Sequence, residues 1–265
     1  MPTVELATVL LGAKGFKDNN VNDTFRGQIL TSKNETRQAI IKDLNLVQLC
    51  NELVAHSLAR DVGLPIPDCY LGLARSDVLT ATKAPTTPDG SRLVFVSVDV
   101  KVPNVTYRWT GSDEAGRKAL QDQIVKWGDL GHLYAFDAWV ANVDRHPGNL
   151  LFGGQNEFWL IDHGHCFTGP EWQANQLDPS VEYRNKLSEW LTHVLTLEQK
   201  RQRATEVRKF GADIDGFDAT ETSKNSRITD LLPLQSVDAL KGFLENRTAM
   251  VPVHASKALG VPTMV

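Results

Sequence analysis

The chain has 265 residues, 42% hydrophobic and 23% charged, and a formal net charge of −4. This is the composition of a folded protein long enough to bury one large core or two, so a wholly disordered chain is excluded. The net negative charge gives no electrostatic ground for nucleic acid or an anionic membrane as the main partner.

The first residues, MPTVELATVLLGAKG, hold a short apolar patch but carry Glu5 where a secretory signal would carry positive charge. TFRGQILTS (24–32) and TRQAIIKDL (36–44) have strand character and flank KNE, which predicts a hairpin. LVQLCNELVAHSLARDVG (46–63) places leucines at 46, 49, 53 and 58, a helical spacing that ends at Gly63. LPIPDCYLGLA follows as an extended segment because its two prolines disfavour helix. SRLVFVSVDV (91–100) alternates Val94, Val96, Val98 and Val100 on one face of a strand.

After about residue 112 the pattern turns helical, with an apolar stripe of Leu133, Phe136 and Val140 and a break near 128–131. Two short strands are expected at 149–153 and 157–162 around GGQN. From about residue 180 the chain reads as helix again, ending in a helix near SVDALKGFLENRTAMVPVHASKALG. The fold class expected is α+β and bilobal. A β-rich lobe would run to about residue 100 and a helical lobe over 101–265, with a cleft between them.

No apolar run approaches the roughly 20 residues that span a bilayer. Cys50, Cys69 and Cys166 form no C-x-x-C pair, so neither a disulfide framework nor a structural zinc site is expected. A soluble cytoplasmic protein in a reducing compartment is the expectation.

Residues 142–152, NVDRHPGNLLF, place Asp144, Arg145, His146 and Asn149 within six positions. A turn needs only Pro147, Gly148 and Asn149, so the acid, the guanidinium and the imidazole are surplus. The next apolar run, FWLIDHGHCF, ends in Asp162-His163-Gly164. A hairpin between the two strands would bring Asn149 and Asp162 to one end, where hard oxygen donors suit Mg²⁺. Phosphoryl transfer also needs a lysine for the nucleotide phosphates, an acid to hold it and a loop acid for the nucleophile. Lys42 would point into the cleft from its strand, Glu52 on the following helix could reach it, and Asp144 heads the loop.

Each residue also has a plainer reading. Asp144 could cap a turn with Arg145 as its ion pair, Asn149 could be a turn residue, and Lys42 could be a solvated edge lysine. Glu52 could lie on a solvated helix face. Asp162 is harder to dismiss, since a carboxylate ending a buried strand is costly unless paired or metal-bound. His56 reads as surface or packing, the H-x-H of His163 and His165 as local hydrogen bonding, and the tryptophans as core. KRQRATEVRK (200–209) reads as the solvated face of a helix.

DRHPGN followed by IDHG resembles the protein-kinase-like superfamily, and specifically the HipA-like kinases, with kinship to phosphoinositide lipid kinases. IIKDL with NELVAHSLARDVGLPIP, and the closing FLENRTAMV, resemble other parts of that family. The resemblance implies ATP- and Mg²⁺-dependent transfer of the γ-phosphate to a protein Ser or Thr hydroxyl. Asp144 would act on the acceptor hydroxyl, and His146 would orient the loop or contact phosphate. Asn149 and Asp162 would hold Mg²⁺, while Lys42, paired with Glu52, would hold the ATP phosphates. Main-chain groups from Val96 through Val98 to Asp99 would bind adenine at a hinge near 96–101.

A protein substrate and a regulatory or antitoxin-like partner are implied too. Lipid or small-molecule phosphorylation, transfer of AMP, and a pseudokinase scaffold remain alternatives. No G-x-G-x-x-G precedes Lys42, where Gly27 stands alone, and no A-P-E follows Asp162. The length falls short of the additional N-terminal subdomain of full-length HipA toxins, so a toxin role is not implied.

Overall fold

The computed structural model describes residues 3–16, 23–154 and 157–261. Strands gather in the first hundred residues and helices in the remainder, a mixed α/β arrangement. The first sheet contains β1 (Glu5–Val9), β2 (Lys14–Gly15), β3 (Thr24–Thr31), β4 (Thr36–Lys42), β5 (Cys69–Ala74) and β6 (Arg92–Val98). Its order is β1-β5-β6-β4-β3-β2, and β1 also pairs with β3, so five of the strands close into a barrel. The expected hairpin is β3 with β4, Thr24 facing Lys42. Closure comes from β1, which runs parallel to β5 and antiparallel to β3.

A five-stranded barrel has little interior, and its inward residues are correspondingly small or tightly packed. Ala7, Val9, Ile29, Ala39, Ile41, Ala74, Val94 and Val96 form its core. A Cβ on Gly72 would stand 2.5 Å from Val96 Cγ2, and one on Gly27 would stand 2.9 Å from Ala13 Cβ. Gly27 is thus a packing residue inside a strand rather than part of a phosphate-covering loop. Leu79, Ala81 and Ala84 join the barrel core from the segment after β5. The fully buried Asp43 anchors that segment, accepting the amides of Thr82 (2.7 Å), Lys83 (3.1 Å) and Ala84 (2.7 Å). The amides supply the partners that a buried carboxylate requires.

Helix α1 (Leu46–Asp61) is the expected helix, capped by Asn45, whose side chain accepts the Gln48 amide at 2.8 Å. It ends as predicted: Gly63 takes a φ of +74°, and the Leu64 amide returns to the Ala59 carbonyl. Leu49 and Leu53 pack with Leu71 and Phe95 of the barrel. Cys50, Val54 and Leu58 pack into the helical core on the other side. Covered on both sides, α1 is buried from Gln48 to Ala59.

The helical part comprises α2 (Val105–Thr110), α3 (Glu114–Lys126), α4 (Leu130–Trp139), α5 (Lys186–Leu191), α6 (Leu197–Asp213), α7 (Ala219–Asn225), α8 (Ile228–Leu231), α9 (Leu234–Arg247) and α10 (Val251–Ala258). The break expected near 128–131 falls between α3 and α4. The nearly buried α4 packs against α6 and α10. The continuous helix expected from 180 is corrected. Residues 180–185 are not helical, and Thr196 with Gln199 forms a capping box that starts α6 afresh. Arg203 is likewise buried rather than solvated, donating to the Val125 carbonyl at 3.0 Å.

A second hairpin, β7 (Leu150–Gly154) with β8 (Glu157–Leu160), pairs Leu150 with Leu160. Its turn residues Gln155 and Asn156 lie outside the described residues. Trp127, Trp139 and Trp172 are core residues, as expected.

Candidate active site

Three elements meet at Lys42. Alternation along β4 sends Ala39 and Ile41 into the barrel and Lys42 to the outer face beside α1. Lys42 Nζ lies 2.6 Å from Glu52 Oε1 and 3.1 Å from Asp162 Oδ1. Its side chain is 12% exposed and that of Glu52 is 2% exposed, so neither is a solvated surface group. Burial alone would lower the Lys42 pKa, but Asp162 and Glu52 outweigh it and hold it above the ordinary value. Burial would raise the Glu52 pKa, and Lys42 with His163 overcomes that and holds it low.

The second oxygen of Glu52 accepts the His163 amide at 2.9 Å. One buried carboxylate thus joins the β4 lysine to the segment that carries Asp162. Asn51, the neighbour of Glu52 on α1, donates to the carbonyls of Gly164 (2.9 Å), Cys166 (3.0 Å) and Gly169 (3.0 Å). Its own side-chain oxygen accepts Trp172 Nε1 at 2.8 Å. These contacts fix a stretch in which Asp162, Phe167 and Thr168 all have positive φ. The His163 ring is buried edge-on to Phe136, and its pKa is lowered by burial and by Arg145. His56 is also packed, with Nε2 at 2.9 Å from the Pro67 carbonyl and a pKa pushed down to about 4 by burial.

The 144–149 loop is held from behind by Arg145. Its guanidinium does not pair with Asp144. It is fully buried against Asp137, at 3.0 Å from Nε to Oδ2, and donates to the carbonyls of Asn149 (3.0 Å) and Ile161 (2.8 Å). Burial would lower the Arg145 pKa, but Asp137 outweighs it. Because Ile161 N also donates to the Asn149 carbonyl at 3.2 Å, Asn149 and Asp162 lie at the same end of the hairpin, as expected. The Asn149 side-chain nitrogen donates to the Asp144 carbonyl at 2.9 Å, which leaves its oxygen lone pairs for a cation.

Asp144 remains partly open, with its side chain 22% exposed. His146 Nδ1 accepts the Gly148 amide at 3.0 Å, which leaves Nε2 facing Asp144 Oδ2 across 3.9 Å. His146 therefore shapes the loop, and 3.9 Å is too long for a hydrogen bond. Among the described residues no cluster of three or more His, Cys, Asp or Glu could hold a metal. Asn149 and Asp162 nevertheless suit a Mg²⁺ that brings its own phosphate and water ligands, since such an ion takes only one or two protein carboxylates.

Val96 and Val98 are not brought to this site. Val96 is fully buried in the barrel core, in a strand flanked on both sides, with Ile41 on one side and Tyr70 on the other. The Val98 amide donates to Asp68 and the Asp99 amide to Gln38, so these groups are already used. The expected adenine contacts through Val96 and Val98 are therefore corrected. The residues that share Lys42's face are Ile40 and, across the ladder, Phe95 and Ser97. The ring of Phe95 lies 5.8 Å from Lys42 Nζ.

Sequence reasoning missed Lys186, whose Nζ sits against Asp144 Oδ1. It is the first residue of α5, whose Trp190 Nε1 donates to the Arg145 carbonyl at 2.9 Å. The only local signal was Asn185, a helix cap that accepts the Ser188 amide.

Residues 33–214 match the family model described as HipA-like kinase. The match takes in Lys42, Glu52, Asp144, His146, Asn149, Asp162 and Lys186. No curated protein matches the chain.

Proposed function

Since the chain belongs to the HipA-like kinase family, we propose that it transfers the γ-phosphate of ATP, with Mg²⁺, to a Ser or Thr hydroxyl of a protein. The observation that carries this reading is the buried Glu52 carboxylate, which ties Lys42 and the His163 amide next to Asp162 to one point beside the open Asp144 loop. In this reading the barrel with α1 is the nucleotide lobe, the helical part after about residue 100 is the acceptor lobe, and the cleft lies between them. Lys42 holds the ATP phosphates, and Ile40 and Ser97 lie over the base. The main-chain hinge begins beyond Asp99.

Asn149 and Asp162 would hold Mg²⁺, which would supply positive charge to offset that of the nucleotide phosphates. Asp144 accepts the proton of the acceptor hydroxyl. The hydroxyl oxygen forms a bond to the γ-phosphorus as the bond to the bridging oxygen breaks, and that electron pair leaves with ADP. His146 shapes the loop through the Gly148 amide. No helix among the described residues is long and apolar enough to cross a membrane. That, with the net charge of −4, supports a protein acceptor over a lipid at an anionic surface. A regulatory, antitoxin-like protein would then act by covering the Asp144 face.

The test is incubation with γ-³²P-ATP and Mg²⁺, with lysate proteins and lipids as acceptors. Label on protein is expected. Label on lipid would move the acceptor class, and no label on either would overturn the kinase reading.

A further inference from the structure

A loose phosphoryl-transfer transition state spreads negative charge over the equatorial oxygens of the moving group, and a cation beside them lowers the barrier. Most cations near the Asp144 loop are already engaged. Arg145 is fully buried against Asp137. Lys42 lies between Glu52 and Asp162. Arg184, close in sequence to Lys186, is committed to Glu189 through two contacts of 2.7 and 2.8 Å. Lys186 differs from all three. Its ammonium touches Asp144 Oδ1, while its side chain stays 29% exposed and that of Asp144 22% exposed.

A lysine ammonium has three N–H donors. One serves Asp144, and two remain for phosphoryl oxygens. Its backbone is well fixed, because Asn185 caps α5 and Trp190 ties that helix to the Arg145 carbonyl.

We propose that Lys186 is a catalytic residue of this site, bridging Asp144 Oδ1 and the phosphoryl group in flight. This rests on the phosphotransfer reading above and adds to it a charge-neutralising residue supplied from outside the loop. By holding Oδ1, Lys186 leaves Oδ2 to take the acceptor's proton. Lys186 itself stays protonated throughout. The hydroxyl proton passes to Asp144 and then to water, and the electron pair of the broken bond leaves with ADP. A purely structural ion pair at this exposure would contribute little to stability and nothing to turnover.

The test compares Lys186→Gln and Lys186→Arg with wild type in the full chain. The readout is the initial rate of ³²P transfer from ATP·Mg²⁺ into a fixed lysate protein fraction at varied ATP, with melting temperature alongside. Lys186→Gln should lower apparent kcat by about 10²–10³-fold. Its KM for ATP should stay within about threefold, and its melting temperature within about 2 °C, of wild type. Lys186→Arg should recover a large part of the lost kcat, because it restores the cation.

The proposal is overturned if Lys186→Gln turns over like wild type or if its loss lies wholly in KM. It is equally overturned if Lys186→Arg loses as much as Lys186→Gln, or if the loss follows a fall in melting temperature. A wild type that transfers no phosphate overturns the kinase reading and this one together. An active wild type with an indifferent Lys186→Gln overturns only the role of Lys186.

Discussion

The two halves of the candidate site are built differently. On the α1 side every charge is buried and multiply held: Glu52 joins Lys42 to the His163 amide, and Arg145 joins Asp137 to the carbonyls of Asn149 and Ile161. On the loop side Asp144, His146 and Lys186 are partly open, with side chains 22%, 45% and 29% exposed. The buried half is preorganised, so its geometry is set before any ligand arrives. The open half has room for an acceptor and can exchange one partner for another. Changes in the first half should therefore be felt in stability, and changes in the second in turnover.

The largest stability effect should come from Arg145→Met, which leaves the buried Asp137 carboxylate without its ionic partner and removes a guanidinium donor from the Asn149 and Ile161 carbonyls. A loss of at least about 3–5 kcal/mol is expected from urea unfolding, and an unchanged midpoint would erase the contrast between the halves. Glu52→Gln should cost about 3 kcal/mol at neutral pH, at the low end because Lys42 keeps Asp162.

That second loss should depend on pH in a definite direction. The Glu52 carboxyl is held below its ordinary value of 4.5 in the fold. Its contribution is therefore present above that value and drains away as pH falls below it. The stability gap between wild type and Glu52→Gln should narrow from about pH 5 to about pH 3, and a constant gap would remove Glu52 from the account of stability.

Asp162 stands between the halves, with its side chain 46% exposed. Asp162→Ala should weaken Mg²⁺-dependent ATP binding at least about tenfold by calorimetry, while binding without Mg²⁺ changes little. Equal losses with and without Mg²⁺ would show that the carboxylate acts only through Lys42. The smallest effect on stability belongs to His146→Ala, which removes one acceptor from the Gly148 amide and should cost about 1 kcal/mol. A much larger loss would move His146 into the buried half.

The buried half was the more legible in the sequence. Strand alternation put Lys42 on one face, helical spacing put Glu52 within reach, and the five-residue step from Asp144 to Asn149 with the later Asp162 marked one hairpin end. Local periodicity carries this information because each relation lies within one element or between consecutive ones. Periodicity could not show which main-chain groups of β6 are already paired, and so Val96 and Val98 were expected to offer theirs to adenine. Val96 instead lies in a strand paired on both sides, and the Val98 amide donates to the Asp68 carbonyl.

Closure of the barrel was illegible for a related reason. It depends on β1 pairing with β5 and β3 at once, and the first residues read only as a short apolar patch. Lys186 lies 42 residues from Asp144 and arrives on a separate helix, so no spacing rule pointed to it. The plainer reading that paired Asp144 with Arg145 within one turn fails, since a buried acid on α4 offers the guanidinium a drier and better-bonded partner.

The most direct measurement is ³²P transfer from ATP·Mg²⁺ by Asp144→Asn beside wild type, with ATP·Mg²⁺ affinity measured by calorimetry on both. Loss of the loop carboxylate should lower transfer by about 10²–10⁴-fold while nucleotide affinity stays within about threefold. Transfer at the wild-type rate by Asp144→Asn would contradict the assignment of Asp144 as the proton acceptor, and with it the placement of the reaction at this loop.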